Sequence, residues 1–203
     1  MDRKKILIVT QQYPPEANAF RISDMVKYLS DNLDVTILSP HPTIPIGTFK
    51  RKWKVSESVV INSIKVVNLW TWQPKSSDPG FLSRMSYYLL FSLHATIWSL
   101  INSKKFDLIL TSTPPIFVNL PGLICKQLLK KPWIVDVRDL WIDAAIGLGF
   151  LKEGSINEKM SRKFEKVCYE KSDKICVTTN VIEEKIWLFS IFRMRVSGRL
   201  LIF

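Results

Sequence analysis

The order of apolar and polar positions along the chain predicts strands that alternate with helices. Short apolar runs rich in β-branched residues are typical of buried strands. They occur at residues 5–10, 35–38, 106–110, 133–137 and 174–178. Apolar residues recur at helical spacing at residues 20–29, 81–101, 118–130 and 157–171. Residues 59–70 predict a β-hairpin that turns at Asn62-Ser63, a common pair of turn residues.

This alternation predicts a fold class and a domain boundary. Strands that alternate with helices form βαβ units, whose strands pair in parallel. We therefore expect an α/β fold, a single Rossmann-like three-layer domain with a mainly parallel sheet, over residues 1–186. Residues 187–203 do not continue the pattern and contain no acidic residue. We expect this hydrophobic and basic tail to result from a frameshift or an early stop; the alternative is a native terminus that packs back on the domain.

The loops that follow the strands are the places to look for a ligand site. In open parallel sheets, ligands bind beyond the carboxyl ends of the strands. The candidate ligand-binding residues at these positions are Asn18, Arg21, His41, Ser112, Thr113, Asp136 and Thr178. The first of these loops, residues 11–21, contains no glycine, which argues against the G-x-G-x-x-G loop of nicotinamide and flavin enzymes.

Two of these loops have both a functional and a structural interpretation. Arg21 is suited to bidentate contact with a phosphate or carboxylate, and Asn18 to capping the helix that follows. The alternative is a rigid proline turn beside a surface arginine. Ser112 and Thr113 offer small hydroxyl groups to a ligand, and the alternative is that their segment only connects a strand to a helix.

The segment 134–152 carries the strongest polar signal. Asp136 alternates with apolar residues inside the predicted strand, and Arg138 and Asp139 lie where that strand emerges. Buried charges are costly unless they are paired or face a cleft. These residues therefore form either a structural Arg–Asp network or a polar cluster at the ligand edge of the sheet.

Composition and charge limit the partners and the cellular compartment that are expected for this protein. The formal net charge of +11 calls for an anionic partner or a crowded basic surface. The three cysteines have no repeating spacing and fit a reducing compartment, and two histidines without paired ligands make a zinc site improbable. The N-terminus lacks the features of a signal peptide, and no apolar run is long enough to span a bilayer. We expect a cytoplasmic protein, peripheral on the inner face of the cell membrane.

Five segments in order carry a family resemblance. They are KILIVTQQYPPEANAFRISDMVKYLS, DVTILSPHPTIPIG, TSTPPIFV, DVRDLWIDAAIGLGFLK and KSDKICVTT, and they run from about residue 4 to residue 184. Together they resemble the N-terminal domain of retaining glycosyltransferases of family four, in the branch that builds cell-surface polysaccharides. The resemblance implies half of a GT-B enzyme, in which this domain binds the acceptor and a C-terminal domain binds the nucleoside-diphosphate sugar.

The resemblance also implies roles for two residues. Many relatives carry a His–Asp pair after the strand at 133–137, where this chain has Arg138 and Asp139. Arginine stays protonated and cannot act as a general base. We assign Arg138 to charge stabilisation or phosphate contact, and Asp139 to orienting the acceptor or bracing Arg138. No cofactor is expected besides the donor sugar, and the chain without a donor domain is expected to be inactive.

The predicted helix at 81–101 bears on the choice of partner. The resemblance implies lipid-linked saccharide acceptors, and a helix face with Tyr87, Tyr88, Phe91 and Trp98 would suit a membrane interface. Basic residues at 50–54 and 104–105 would contact anionic headgroups. The alternative is a core helix beside a solvated run of charges. Nucleic acid is not expected, because no nucleic-acid-binding module accompanies the charge.

Three functional hypotheses remain. The first is the acceptor domain of a glycosyltransferase. The second is a non-catalytic module that binds a membrane or a partner chain, including a separate chain that supplies the donor half. The third, an unrelated Rossmann enzyme, is disfavoured by the glycine-free first loop. A donor domain encoded just downstream in another frame would support the first.

Overall fold

One mainly parallel sheet forms the centre of the molecule. The computed structural model describes residues 3–17, 19–76, 79–189 and 200–202, with side chains outside 187–189 and 200–202. The described strands are β1 Lys5–Thr10, β2 Asp34–Pro40, β3 Ser56–Ile61, β4 Ile64–Leu69, β5 Leu108–Thr113, β6 Trp133–Val137, β7 Lys174–Val177 and β8 Leu200–Ile202. Their order is β3-β4-β2-β1-β5-β6-β7-β8, and only the β3–β4 pair among these strands is antiparallel.

Six described α-helices connect these strands. They are α1 Phe20–Ser30, α2 Phe81–Asn102, α3 Leu120–Leu129, α4 Trp141–Gly147, α5 Ile156–Lys171 and α6 Asn180–Phe189. Short 3₁₀ segments at Ser103–Lys105 and Ile116–Asn119 precede β5 and α3. The α/β Rossmann-like fold that the sequence predicts is confirmed.

The sheet divides the core into two apolar clusters, one on each face. Leu7 and Val9 of β1 point to the cluster that contains residues of α2, α3, α5 and α6. Ile6 and Ile8, their neighbours in β1, point to the cluster that contains Ile22 of α1. This alternation is the two-residue period of a strand whose two faces are both buried. We call these the α2 face and the α1 face of the sheet.

The predicted hairpin is confirmed. Asn62 and Ser63 adopt the left-handed backbone conformation, with φ values of 49° and 65°. Positive φ at both central residues is the geometry that lets a two-residue turn match the twist of its strands, and Asn tolerates it better than most residues.

Three described elements were not predicted from the sequence. Helix α4 follows the polar segment 138–139, helix α6 runs from Asn180 into the predicted tail, and β8 pairs in parallel with β7. Helix α4 has only seven residues, too few to show a helical period. The rest of the tail, residues 190–199 and 203, lies outside the described residues.

The prediction of an exposed, membrane-facing side of α2 that carries Tyr87, Tyr88, Phe91 and Trp98 is wrong. Tyr87 and Phe91 are buried, at 2% and 0% exposure, and Trp98 packs against the core. Tyr88 is half-buried. The helix is apolar on most of its circumference, so its sequence period did not indicate which side faces the sheet.

Candidate functional site

A polar network lies at the carboxyl ends of β5 and β6. Asp136 is 1% exposed, and its carboxylate receives a bidentate ion pair from Arg21, with Nη1–Oδ2 and Nη2–Oδ1 distances of 3.2 and 3.0 Å. Ser112 Oγ donates to Asp136 Oδ2 at 2.6 Å, and Thr113 Oγ1 donates to the Asp136 carbonyl at 3.1 Å. Both carboxylate oxygens are therefore satisfied from within the domain, which is the condition for a stable buried charge.

Arg138 continues the network by one residue. Its Nε donates to the Thr113 carbonyl at 2.8 Å, and Thr178 Oγ1 donates to the Arg138 carbonyl at 3.3 Å. Burial lowers the pKa of Arg138, while the charge of Asp136 raises it. The guanidinium starts from so high a pKa that it stays protonated, so Arg138 supplies a fixed positive charge. One connected cluster thus contains six of the residues that the sequence predicted: Arg21, Ser112, Thr113, Asp136, Arg138 and Thr178.

Asp139 directly follows this cluster in the chain, and its charge acts with that of Asp136 to raise the pKa of Arg138. Its side chain is exposed and lines a cavity of about 790 Å³ between α2, α4 and α5. Asp136 is instead held by Arg21, at the start of α1. The two acidic residues of the 134–152 segment therefore point to different surroundings. One is closed within the fold and the other opens on a cavity.

The cavity is lined mainly by apolar and aromatic side chains from separate elements. Trp141 packs edge-on against Phe117, with ring centroids 5.5 Å apart, and against Tyr88 at 6.4 Å. The Arg84 guanidinium lies 4.4 Å from the ring centroid of Phe150. Further apolar lining comes from Phe81, Met85, Leu89, Leu120, Ala144, Ala145, Leu148, Leu151, Met160 and Phe164. The volume lies within the range of small-molecule sites, and apolar walls with few polar groups are typical of them.

His41 occupies a different part of the molecule. It follows β2, is 1% exposed, and forms a 2.9 Å hydrogen bond from ring Nε2 to the Lys54 carbonyl. Burial lowers its pKa, so the neutral ring is favoured. This bond ties the β2 edge to the loop before β3. Asn18, the other predicted ligand residue near the first loop, lies outside the described residues.

A buried polar cluster beneath the first loop was not predicted. Glu16 Oε1 accepts backbone N–H groups of Thr43 and Ile44 at 2.5 and 2.8 Å. Burial nevertheless raises the pKa of Glu16 to about 7. The hydroxyl of buried Tyr87 lies beside Gln11 and Thr43, and the Glu16 charge adds to the effect of burial in raising its pKa. Glu16, Thr43 and Tyr87 are far apart in sequence, and only the fold brings them together.

Two features are absent from the described part of the chain, a cluster of metal-binding side chains and a helix that could cross a bilayer. Across residues 3–17, 19–76, 79–189 and 200–202, no cluster of three or more His, Cys, Asp or Glu side chains has the arrangement of a metal site. None of the helices within those ranges combines the length and the apolar character that crossing a bilayer requires.

Comparison with known proteins connects this fold to glycosyltransferases. No protein-family model matches the sequence, and no curated protein matches it. Among solved structures, the chain is similar to sucrose-phosphate synthase of Thermosynechococcus elongatus, at 12% identity and a TM-score of 0.57, over 98% of this chain and 87% of that one.

Two plant enzymes are similar over half of their length. One is a UDP-glucosyltransferase of Polygonum tinctorium capable of glucosylating indoxyl, at 12% identity and a TM-score of 0.53, over 98% of this chain and 51% of that one. The other is UGT2 of Phytolacca americana, at 12% identity and a TM-score of 0.52, over 98% and 53%. All three are GT-B glycosyltransferases, and the described fold is that of one Rossmann-like GT-B half.

Proposed function

We propose that this chain is the acceptor-binding domain of a retaining glycosyltransferase of family four. The enzyme would transfer a sugar from a nucleoside-diphosphate sugar to a lipid-linked saccharide in the synthesis of cell-surface polysaccharide, at the inner face of the cell membrane. The observation that supports this acceptor is the apolar cavity of about 790 Å³ with Asp139 on its wall. An acceptor with an apolar chain and a polar saccharide end matches a wall of that composition.

Arg138 and Asp139 have complementary roles in this proposal. The leaving nucleoside diphosphate gains negative charge during transfer, and a fixed guanidinium stabilises such charge. Arg138 is held by Thr113 and stays protonated, so it serves that role and not proton removal. Asp139, exposed at the cavity, orients an acceptor hydroxyl.

The polar network has a supporting role. The buried carboxylate of Asp136 accepts two hydrogen bonds from Arg21 and one from Ser112. The network fixes the ends of β5 and β6 and so positions Arg138 and Asp139. The donor sugar would be bound by a second Rossmann-like domain, in the same polypeptide or in a separate chain.

Binding of a matched pair of saccharides tests the acceptor proposal. Isothermal titration calorimetry compares decyl maltoside, below its micelle concentration, with maltose. We expect binding of decyl maltoside to be at least roughly tenfold tighter, because the alkyl chain enters the cavity. Ala144→Phe fills the cavity and should abolish this difference, and Val181→Phe, at an exposed position on α6, is the control.

A lipid extract tests the natural acceptor class. The chain is incubated with bacterial polar lipids, repurified and analysed by native mass spectrometry. Retention of a phosphate-linked polyprenyl saccharide that Ala144→Phe and Asp139→Asn both lose would support the proposal. Retention of phospholipids alone, or equal binding of decyl maltoside by the wild type and Ala144→Phe, would contradict it.

A further inference from the structure

The segment at residues 50–55 lies on the surface between β2 and β3, and buried polar side chains hold its backbone. Gln73, which is 4% exposed, accepts the Lys52 N–H at Oε1 at 2.9 Å. His41, which is 1% exposed, bonds the Lys54 carbonyl through Nε2. Burying a polar side chain costs free energy unless it is hydrogen-bonded. The core thus contains polar groups whose partners are backbone groups of this surface segment, and they fix its conformation.

The fixed segment places an arginine between two tryptophans at the surface. Trp53 stacks on Trp70, with ring centroids 6.3 Å apart, and is nevertheless 68% exposed. The Arg51 guanidinium lies 5.2 Å from the ring centroid of Trp53 and 5.5 Å from that of Trp72. Trp72 is held by a 3.1 Å hydrogen bond from Nε1 to Ser83 Oγ. We call Arg51, Trp53 and Trp72 the Trp–Arg site, whose side chains are oriented before any ligand binds.

The Trp–Arg site lies in a region of unbalanced positive charge. Residues 50–57 contain four cationic side chains, and Glu57 is the one acidic residue among them. Glu57 pairs with Lys52 and Lys54, at Nζ–Oε distances of 2.5 and 3.0 Å. Among the described residues, none forms an ion pair with Arg51. Its guanidinium is therefore available for a carboxylate or phosphate of a ligand, which arginine binds with paired N–H groups.

A ligand that suits this site combines one flat apolar face with an anionic group. A pyranose ring has such a face, formed by its axial C–H groups, and that face packs on an exposed indole. A uronic acid adds a carboxylate for the guanidinium. A nucleic-acid strand would instead stack successive bases on successive aromatic side chains. The site offers one exposed indole for that purpose, because Trp72 is bonded to Ser83 and Trp70 lies against Trp53.

We infer that the Trp–Arg site binds an acidic saccharide, with a carboxylate on Arg51 and a sugar ring on Trp53. The choice of a saccharide rests on the proposed function, but the site is separate from the cavity, because none of its three residues lines that cavity. Trp72 contacts Ser83 of α2, and the next residue, Arg84, lines the cavity. The site would therefore hold a charged unit of the same saccharide whose end is extended at the cavity.

Isothermal titration calorimetry with a charged and a neutral trisaccharide tests the inference. The probes are trigalacturonate and maltotriose. We expect trigalacturonate to bind at least roughly tenfold tighter, with an affinity that falls as salt is added. Neither probe carries an alkyl chain, so the result does not depend on whether the cavity binds decyl maltoside. Ala144→Phe, with its cavity filled, should bind trigalacturonate as the wild type does.

Matched variants separate the contribution of charge from that of stacking. Arg51→Gln should weaken trigalacturonate binding roughly tenfold, and Arg51→Lys should recover only part of the loss, because lysine lacks the planar fork. Arg3→Gln removes the same charge at an exposed arginine and should have no effect. Trp53→Ser should also weaken binding roughly tenfold. Tyr28→Ser removes an aromatic ring that is 74% exposed on α1 and should leave binding unchanged.

Four results would overturn the inference. The first is that the wild type does not bind trigalacturonate, or binds maltotriose equally well. The second is that Arg51→Gln or Trp53→Ser binds trigalacturonate as tightly as the wild type does. The third is an oligothymidylate that binds as tightly as trigalacturonate and that Arg51→Gln loses, which would assign the site to nucleic acid. The fourth is displacement of bound trigalacturonate by phosphatidylglycerol vesicles, which would assign the site to lipid headgroups.

Discussion

The polar network and the apolar cavity each contain one acidic residue of the same short segment, Asp136 and Asp139, but these two residues have different surroundings. In the network, the buried carboxylate of Asp136 already accepts three hydrogen bonds from Arg21 and Ser112 within the fold. In the cavity, Asp139 is exposed on a wall of mostly apolar side chains. A cluster of charged residues in a sequence can thus belong to the structural framework of the domain. The space for a ligand is lined by apolar residues that the sequence alone would assign to the hydrophobic core.

The largest expected effect is on the network. Arg21→Ala leaves the buried carboxylate of Asp136 with only Ser112 as a side-chain donor, and should lower the free energy of unfolding by about 3 kcal/mol in urea denaturation. Arg3→Ala, at an exposed arginine, is the control and should change it by less than about 0.5 kcal/mol. Equal losses in the two variants would contradict a structural role for Arg21.

The next effect tests how tightly α3 packs on the α2 face of the sheet. A Cβ atom on Gly122 of α3 would overlap the indole ring of Trp133, which is 0% exposed and donates from Nε1 to Thr111 Oγ1 at 2.9 Å. Gly122→Ala should therefore cost about 2 kcal/mol of unfolding free energy.

Gly147 provides the matched control on α4, because a Cβ atom there meets nothing within 4 Å. Gly147→Ala should be neutral or slightly stabilising, since alanine is the better helix former. Tm by calorimetry compares the two. If Gly122→Ala were as stable as Gly147→Ala, the packing of α3 on the sheet would be looser than the structure indicates.

A third effect concerns pH. The pKa of Glu16 is raised by burial to about 7 in the folded chain, above its ordinary value, so the folded state holds the proton more tightly than the unfolded state does. Its contribution to stability is therefore present at low pH and lost as pH rises towards 7. Glu16→Gln keeps the acceptor for Thr43 and Ile44 and removes the titration.

The difference in unfolding free energy between Glu16→Gln and the wild type isolates this group from His41 and other titrating residues. The ordinary pKa of Glu16 is 4.5 and its raised pKa is about 7. As pH rises between these two values, we expect the unfolding free energy of Glu16→Gln to increase relative to that of the wild type by on the order of 2 kcal/mol. A difference that stays constant with pH would show that Glu16 ionises normally.

The smallest effect is at the rim of the cavity. Leu148 is 69% exposed, so Leu148→Ser should change the unfolding free energy by less than about 0.5 kcal/mol. Decyl maltoside binding should nevertheless weaken about threefold, because part of the apolar rim is removed. Val181→Ser, at an exposed site on α6, should leave binding unchanged. A loss of stability without a loss of binding would place Leu148 in the scaffold.

The sequence by itself determined most elements of the fold and their order, but not α4, α6 or β8. The strands at 5–10 and 133–137 were predicted to the residue, and the hairpin turn at Asn62-Ser63 was located correctly. Local patterns suffice here, because strand and turn preferences act between neighbours in the chain. The sequence also indicated Arg138 and Asp139 as candidates, since charges at the end of a buried strand stand out from their surroundings.

Only the tertiary structure decided which residues share a site. Residues of α2, α4, α5 and the 3₁₀ segment that precedes α3 line the cavity. No local sequence pattern connects Phe117 with Trp141 or Phe164. The outer side of α2 was likewise decided by packing: Phe91 and Leu93 are equally apolar, but one is buried and the other is 52% exposed. The physical reason is that burial depends on what lies opposite a side chain, and distant segments of the chain supply that surface.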